Sequence, residues 1–256
     1  MAFYAVTQAG GASTTIEAQD WMAALKAALP KLGVDIAGLG RFVCETSPDG
    51  SVIVSDPRAS HRWRVTTVAS AVAHDAAPFA PAPQPQHRAQ EAEEDDDHIE
   101  RLFELSGEIA SASPDEACRA ALRLVTQLVP CEAASIVRGT INDDALTFVA
   151  ASGPVAAQIV GRKLPFGMGL SGLCFDLSIP VEVKEARGHE AHHAEFDRST
   201  GFKTQGTLCV PVTDGALVAG VIQLLNPPHG FDARTVLTLE SIGRTLAGAL
   251  LRDLAA

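Results

Sequence analysis

Several things are scarce in this chain, and each scarcity removes a class of function. The five cysteines are odd in number and scattered, with no Cys-x-x-Cys pair, so a disulfide framework is not expected and reduced thiols in a cytosol are. Basic residues number 20 against 31 acidic ones, for a net charge of −11. That argues against a nucleic-acid binder or an anionic-membrane binder, since both need a basic surface. No apolar run approaches the roughly 20 residues of a spanning helix. The opening Met-Ala-Phe-Tyr-Ala-Val has no basic segment ahead of an apolar core, so no signal peptide is expected and a cytoplasmic location is. No phosphate-cradling Gly-x-x-x-x-Gly-Lys, nucleophile elbow or kinase signature occurs. Aromatic residues make up only 5%.

What is present is ordinary globular material: 256 residues, 46% hydrophobic, with room for one large or two small domains. Residues 1–68 read as a small β-α-β-β-β module. Phe3–Val6 is strand-like and Gly10-Gly11 marks a turn. Asp20 is placed to cap a helix through Lys31, carrying Trp21, Leu25, Ala28 and Leu32, with Gly33 as the stop. Strands follow at Arg41–Glu45, Ser51–Ser55 and Arg62–Val68, the first two joined across Pro48-Asp49-Gly50. Arg41, Arg58, His61, Arg62 and Arg64 make the late strands basic, which reads as solvated strand faces.

Residues 69–97 change character. Ala and Pro dominate through Pro85, and a Glu91–Asp97 acidic run follows. Proline-rich sequence cannot build a core and like charges repel, so a disordered linker is expected. Residues 98–256 then read as a second α+β domain. A helix carries Ile99, Leu102, Phe103, Ser106 and Ile109, and another opens at Ser113-Pro-Asp-Glu, with Pro114 at its first position and Glu116 at capping-box spacing. Strands are expected at 133–138, 146–151, 179–183, 207–212 and 217–225, the last two joined by an Asp214-Gly215 turn. A closing helix from about Asp232 carries Val236, Leu239, Ile242, Leu246 and Leu250. The stretch from Phe166 to Pro211 organises this domain: a Gly167, Gly169, Gly172 run, an apolar strand, a histidine-bearing segment, and a short helix turning at Gly201 into a strand.

In these residues the domain resembles a GAF domain, the small-molecule sensor module of cyclic-nucleotide phosphodiesterases and bacterial signalling proteins. The resemblance rests on Gly167-Met-Gly-Leu-Ser-Gly172, on Asp197-Arg-Ser-Thr-Gly-Phe-Lys-Thr-Gln-Gly-Thr-Leu-Cys-Val-Pro211 and on Gly220-Val-Ile-Gln-Leu-Leu-Asn226, and it covers about residues 98–254. It implies an antiparallel sheet with N- and C-terminal helices on one face and a ligand pocket on the other. By position it implies Phe166, Ser171, Phe196, Phe202, Thr204 and Thr207 as ligand-binding residues, the ligand and any cofactor remaining unknown. The N-terminal module matches no family named here.

Departures from the family's motifs subtract specific roles. Cyclic-nucleotide-binding members carry an Asn-Lys pair, a following Phe and an Asp-Glu pair; here Asn226 and Phe231 stand, but Pro227 replaces the lysine and Thr235-Val236 the acidic pair. Free methionine-R-sulfoxide reductases share the fold and use thiolates; here Ser171 stands where their nucleophile would be, with Cys174 and Cys209 near it in sequence. His189-Glu190-Ala191-His192-His193 matches His-Glu-x-x-His, and His189 and His193 would share a helix face. The resemblance puts this segment in a lid over the pocket, so no metal site is assigned. The reading is therefore a non-enzymatic sensor that binds a small molecule and relays through its flanking helices to a dimer or partner signalling protein. Leu237 and Leu251 lie off the buried stripe of the closing helix and suggest a homodimer. The alternative is a protein–protein interaction module whose pocket is filled by its own side chains, with a thiol redox enzyme or a metal-binding protein behind it.

Overall fold

The computed structural model describes residues 1–56, 61–69, 106–140, 142–184, 199–215 and 217–252. The expected linker beyond Ala69, and the segment holding His189, His192, His193 and Phe196, lie outside the described residues.

The N-terminal module opens with β1 (Ala2–Gln8) and β2 (Ser13–Ala18), an antiparallel hairpin turning at Gly10 and Gly11. β2 is a strand for which the Ser-Thr-Thr stretch gave no expectation. Helix α1 (Trp21–Ala28) begins where Asp20 accepts a hydrogen bond from the Ala23 amide at 2.8 Å. The helix expected through Lys31 stops at Ala28 because Pro30 cannot donate to the ladder; Pro30–Leu32 continues as one 3-10 turn closed by Gly33 at φ 72°. β3 (Phe42–Thr46), β4 (Val52–Asp56) and β5 (His61–Val68) follow, with Asp49 Oδ1 accepting from both the amide and the hydroxyl of Ser51 in the β3–β4 turn.

The second domain contributes α2 (Pro114–Leu128), β6 (Ala133–Arg138), β7 (Ala145–Ser152), α3 (Ala156–Ile159), β8 (Lys163–Pro165), α4 (Gly169–Leu177), β9 (Val181–Val183), β10 (Thr207–Thr213), β11 (Val218–Leu225) and α5 (Ala233–Leu251). Half of the expected capping box forms at α2. The Glu116 carboxylate accepts from the Ser113 hydroxyl at 2.7 Å and from the Ser113 amide, which together hold it below the usual carboxylate range, but Ser113 makes no reciprocal side-chain bond to the helix. Asp232 caps α5 through the Thr235 amide at 2.7 Å.

The strands of both modules form one 11-stranded sheet in the order β2-β1-β5-β4-β3-β9-β10-β11-β6-β7-β8. All pairings are antiparallel except the seam between the modules, where β3 runs parallel to β9 with Phe42 opposite Val181 and Cys44 opposite Val183. Strand alternation then sorts side chains into two layers. Ile136, Leu208, Val210, Ile222 and Leu224 pack under α2 and α5, together with Val236, Leu239, Ile242, Leu246 and Leu250. Val137, Leu146, Phe148, Cys209 and Val221 face the other way, under α4.

Candidate functional site

The face under α4 is where the glycine-rich stretch does its structural work. Gly167 and Gly169 adopt φ 73° and 65°, backbone that L side chains rarely take. Gly172 lets α4 close on its own entry turn, since a Cβ there would stand 3.0 Å from the Gly167 carbonyl carbon. The close approach is thus to the preceding turn, not to the sheet. That turn presents Phe166, half-buried, against Phe175 of α4 with ring centroids 5.3 Å apart. Nothing local marks these glycines as opening a nine-residue helix, whose mostly apolar, glycine-interrupted run lacks a capping residue.

Beneath α4 the floor has two ends. One is apolar: Leu170, Leu173 and Cys174 share a core cluster with Val137 and Val221, and with Cys209, which stands opposite Gln223 where the two ends meet. Ser171 is buried among them, its hydroxyl 3.7 Å from the Cys209 thiol. The other end is polar. Thr207, Gln223 and Ser135 lie on the α4 side of β10, β11 and β6, by alternation with Cys209, Val221 and Val137. Ser135 Oγ donates to Gln223 Oε1 at 3.3 Å. Thr207 is fully buried, and its hydroxyl has no hydrogen-bond partner among the described residues. Such a group ordinarily finds a partner.

Residues 199–206 lead into β10 and border that polar end. Their shape depends on Asn226, which holds φ 53° at the end of β11. Its Oδ1 accepts from the Gln205 amide at 2.6 Å and its Nδ2 donates to the Lys203 carbonyl at 2.8 Å and to Glu132 at 2.7 Å. Asn226 is therefore a clip for this segment, with its side-chain amide committed to it. Phe202 is buried, with its amide bonded to the Thr200 hydroxyl at 3.3 Å, and Thr204 is half-buried. Arg162 reaches the same segment through Ser199 at 3.0 Å. Phe231 and Val236, which the resemblance aligned with a nucleotide motif, belong instead to the helix-side core.

So of the residues expected to bind ligand, Thr207 lies on the sheet floor, Ser171 sits on α4 above Cys209, Phe166 sits on the α4 entry turn, Phe202 and Thr204 lie on the clipped segment, and Phe196 falls outside the described residues. Ser135 and Gln223 were not singled out from sequence; their alternation with Val137 and Val221 was the available signal.

The thiols are held protonated. Burial pushes Cys209 up to about 12 against the opposing hydrogen bond from Ser171, and pushes Cys174 well above the usual thiol range, helped by neighbouring Cys209. Burial likewise raises Cys118 to about 11, and raises Cys131. No group of three or more His, Cys, Asp or Glu placed to hold a metal occurs among the described residues. No described helix is long and apolar enough to cross a membrane.

Half of the molecule is an antiparallel sheet with two long helices on one face and a short helix over a partly polar face on the other, an α+β architecture. The family follows directly: a GAF domain model matches residues 111–251, and the chain belongs to that family, whose members typically serve as sensory or regulatory small-molecule-binding domains. The cGMP-specific 3',5'-cyclic phosphodiesterases of Drosophila pseudoobscura pseudoobscura and Drosophila melanogaster are each 33% identical over 78 residues, 28% of this chain and only 7% of their own length. Among solved structures, the GAF domain of an Acinetobacter phosphoenolpyruvate-protein phosphotransferase superposes with a TM-score of 0.54 at 21% identity, covering 63% of this chain and 96% of that one. Free methionine-R-sulfoxide reductase from Neisseria meningitidis, in complex with its substrate, gives 0.51 at 17% identity over 66% of this chain and 98% of that one. These structural likenesses concern the fold.

Proposed function

We propose that this chain is a non-enzymatic GAF sensor of a cytoplasmic signalling system, binding a small molecule at the polar end of the face under α4. The carrying observation is Thr207, a fully buried hydroxyl with no partner among the described residues, beside the buried Ser135–Gln223 pair. Phe166, Ser171, Phe196, Phe202, Thr204 and Thr207 are the ligand-binding residues in this reading, joined by Ser135 and Gln223. Binding orders the lid and shifts the flanking helices, biasing a homodimer or a partner signalling protein. Leu237, 56% exposed on α5, is the apolar residue offered to such a contact, whereas Leu251 packs against the helix-side core. The protonated thiols favour a sensor over a thiol-redox enzyme.

A second reading has its own observation. Leu170, Leu173 and Cys174 already fill the apolar end of the recess, which favours an interaction module with a self-filled pocket. A thermal-shift panel of nucleotides, nucleobases, amino acids and other metabolites separates the two. The sensor reading expects stabilisation by one chemical class, abolished in Gln223→Leu; a flat response across the panel supports the self-filled pocket.

A further inference from the structure

The N-terminal module lies outside the residues matched by the family model, yet it is built into the ligand face. Trp21, Met22 and Leu25 of α1 share a single core cluster with Leu170, Leu173 and Cys174 of α4. The helix-side core beneath α2 and α5 is a separate cluster. We propose that the N-terminal module is the receiver of the sensor domain: it clasps α4 and β9, the elements nearest the recess, so that any displacement there is carried into the module's own sheet.

The clasp has backbone and charge components. The Phe42 amide donates to the Pro180 carbonyl at 2.9 Å, and β3 and β9 continue in parallel register from there. This strand addition covers an edge that β9 would otherwise expose. Among the described residues, three ion pairs cross between the modules. Arg41 pairs with Glu182, which is 1% exposed, Lys184 lies 3.5 Å from Glu45, and Lys26 of α1 pairs with Asp176 of α4. A carboxylate as buried as Glu182 needs a fixed cation, and the N-terminal module supplies it. Arg41, just before β3, and Glu45 within it are opposite in sign, as are Glu182 of β9 and Lys184 just after it, so sliding β3 by two residues to bring Glu45 opposite Glu182 sets like charges together. The terminal helices α2 and α5 belong to the separate core cluster on the other face of the sheet. The receiver role rests on the proposed ligand face of the sensor domain, while its test needs no ligand.

Hydrogen–deuterium exchange of the full chain, read by mass spectrometry, compares wild type, Lys26→Glu and the swap Lys26→Glu/Asp176→Lys. This pair is chosen because Lys26 is exposed, so its replacement is expected to leave the fold intact. Lys26→Glu is expected to speed exchange together in α1, Gly169–Leu177 and Val181–Val183, by roughly two- to fivefold, and the swap to restore it, with α2 and α5 unchanged. Thermal unfolding of wild type is expected as one transition. A rise confined to α1, no rise at all, or two separate transitions would overturn the proposal.

Discussion

At the scale of single residues, Asn226 shows how a motif residue takes on a different task. Its amide makes bonds to Gln205, Lys203 and Glu132 while its backbone sits at φ 53°. Asn226→Gly keeps the backbone conformation at no steric cost and loses only the side-chain bonds, whereas Asn226→Ala loses both. Chemical denaturation should find Asn226→Ala destabilised by about 2–3 kcal/mol and Asn226→Gly by about 1 kcal/mol less. The thiols make a second residue-level prediction. Burial raises Cys209 to about 12 and Cys118 to about 11, above their unfolded values. The native state therefore keeps protons that the unfolded chain gives up. The sign follows: this stabilisation is full below the unfolded thiol pKa and falls as pH rises through the folded values. Stability should decline from about pH 9 upward. Ellman's reagent at pH 8 should label half-buried Cys131 first and the four buried thiols only on unfolding. Rapid labelling of Cys174 or Cys209 in the folded protein contradicts this.

At the scale of elements, the turn into α4 depends on Gly172. A side chain there meets the Gly167 backbone, with the Cβ alone at 3.0 Å. Gly172→Val should cost about 1–3 kcal/mol in denaturant unfolding and disturb the Phe166–Phe175 contact, seen as a local change in their ring resonances. Much of this level was legible. The hairpin at Asp49-Gly50, the Asp20 cap, the start of α5 near Asp232 and its apolar stripe all follow from local chemistry within a few residues. The short helix α4 was not, because its glycines read as loop punctuation and its apolar run has no capping side chain. The early end of α1 was misjudged because Ala- and Leu-rich periodicity outweighed a single Pro30. Ser135 and Gln223 were overlooked because a buried polar residue in a β-rich run carries no local mark of which neighbours it will meet.

At the scale of the whole molecule, the second domain was legible because its motifs recur in order along the chain, from Gly167 through Pro211 to Asn226. The seam between the modules was not. Pairing of Phe42–Cys44 with Val181–Val183 joins segments far apart in sequence, and parallel addition at a strand edge leaves no turn to announce it. Arg41 and Glu182 look like ordinary strand charges until the register brings them together. What the sequence reads as two modules is therefore one continuous sheet with two cores on its faces. Arg41→Met would strand the buried Glu182 carboxylate and should lower stability by about 3–5 kcal/mol, and the paired Arg41→Met/Glu182→Leu variant should recover most of that loss in the same unfolding measurement. Equal losses in the single and paired variants would show that the ion pair is not what the seam requires.

The central claim is that the polar end of the recess holds a small molecule. Native mass spectrometry of the purified full chain, incubated with pools of nucleotides, nucleobases and amino acids, tests it most directly. A stoichiometric bound mass is expected on wild type, disappearing in Gln223→Leu and weakening at least about tenfold in Thr207→Val, with both variants folded by circular dichroism. No bound mass on wild type from any pool, or the same mass retained by both variants, would contradict it.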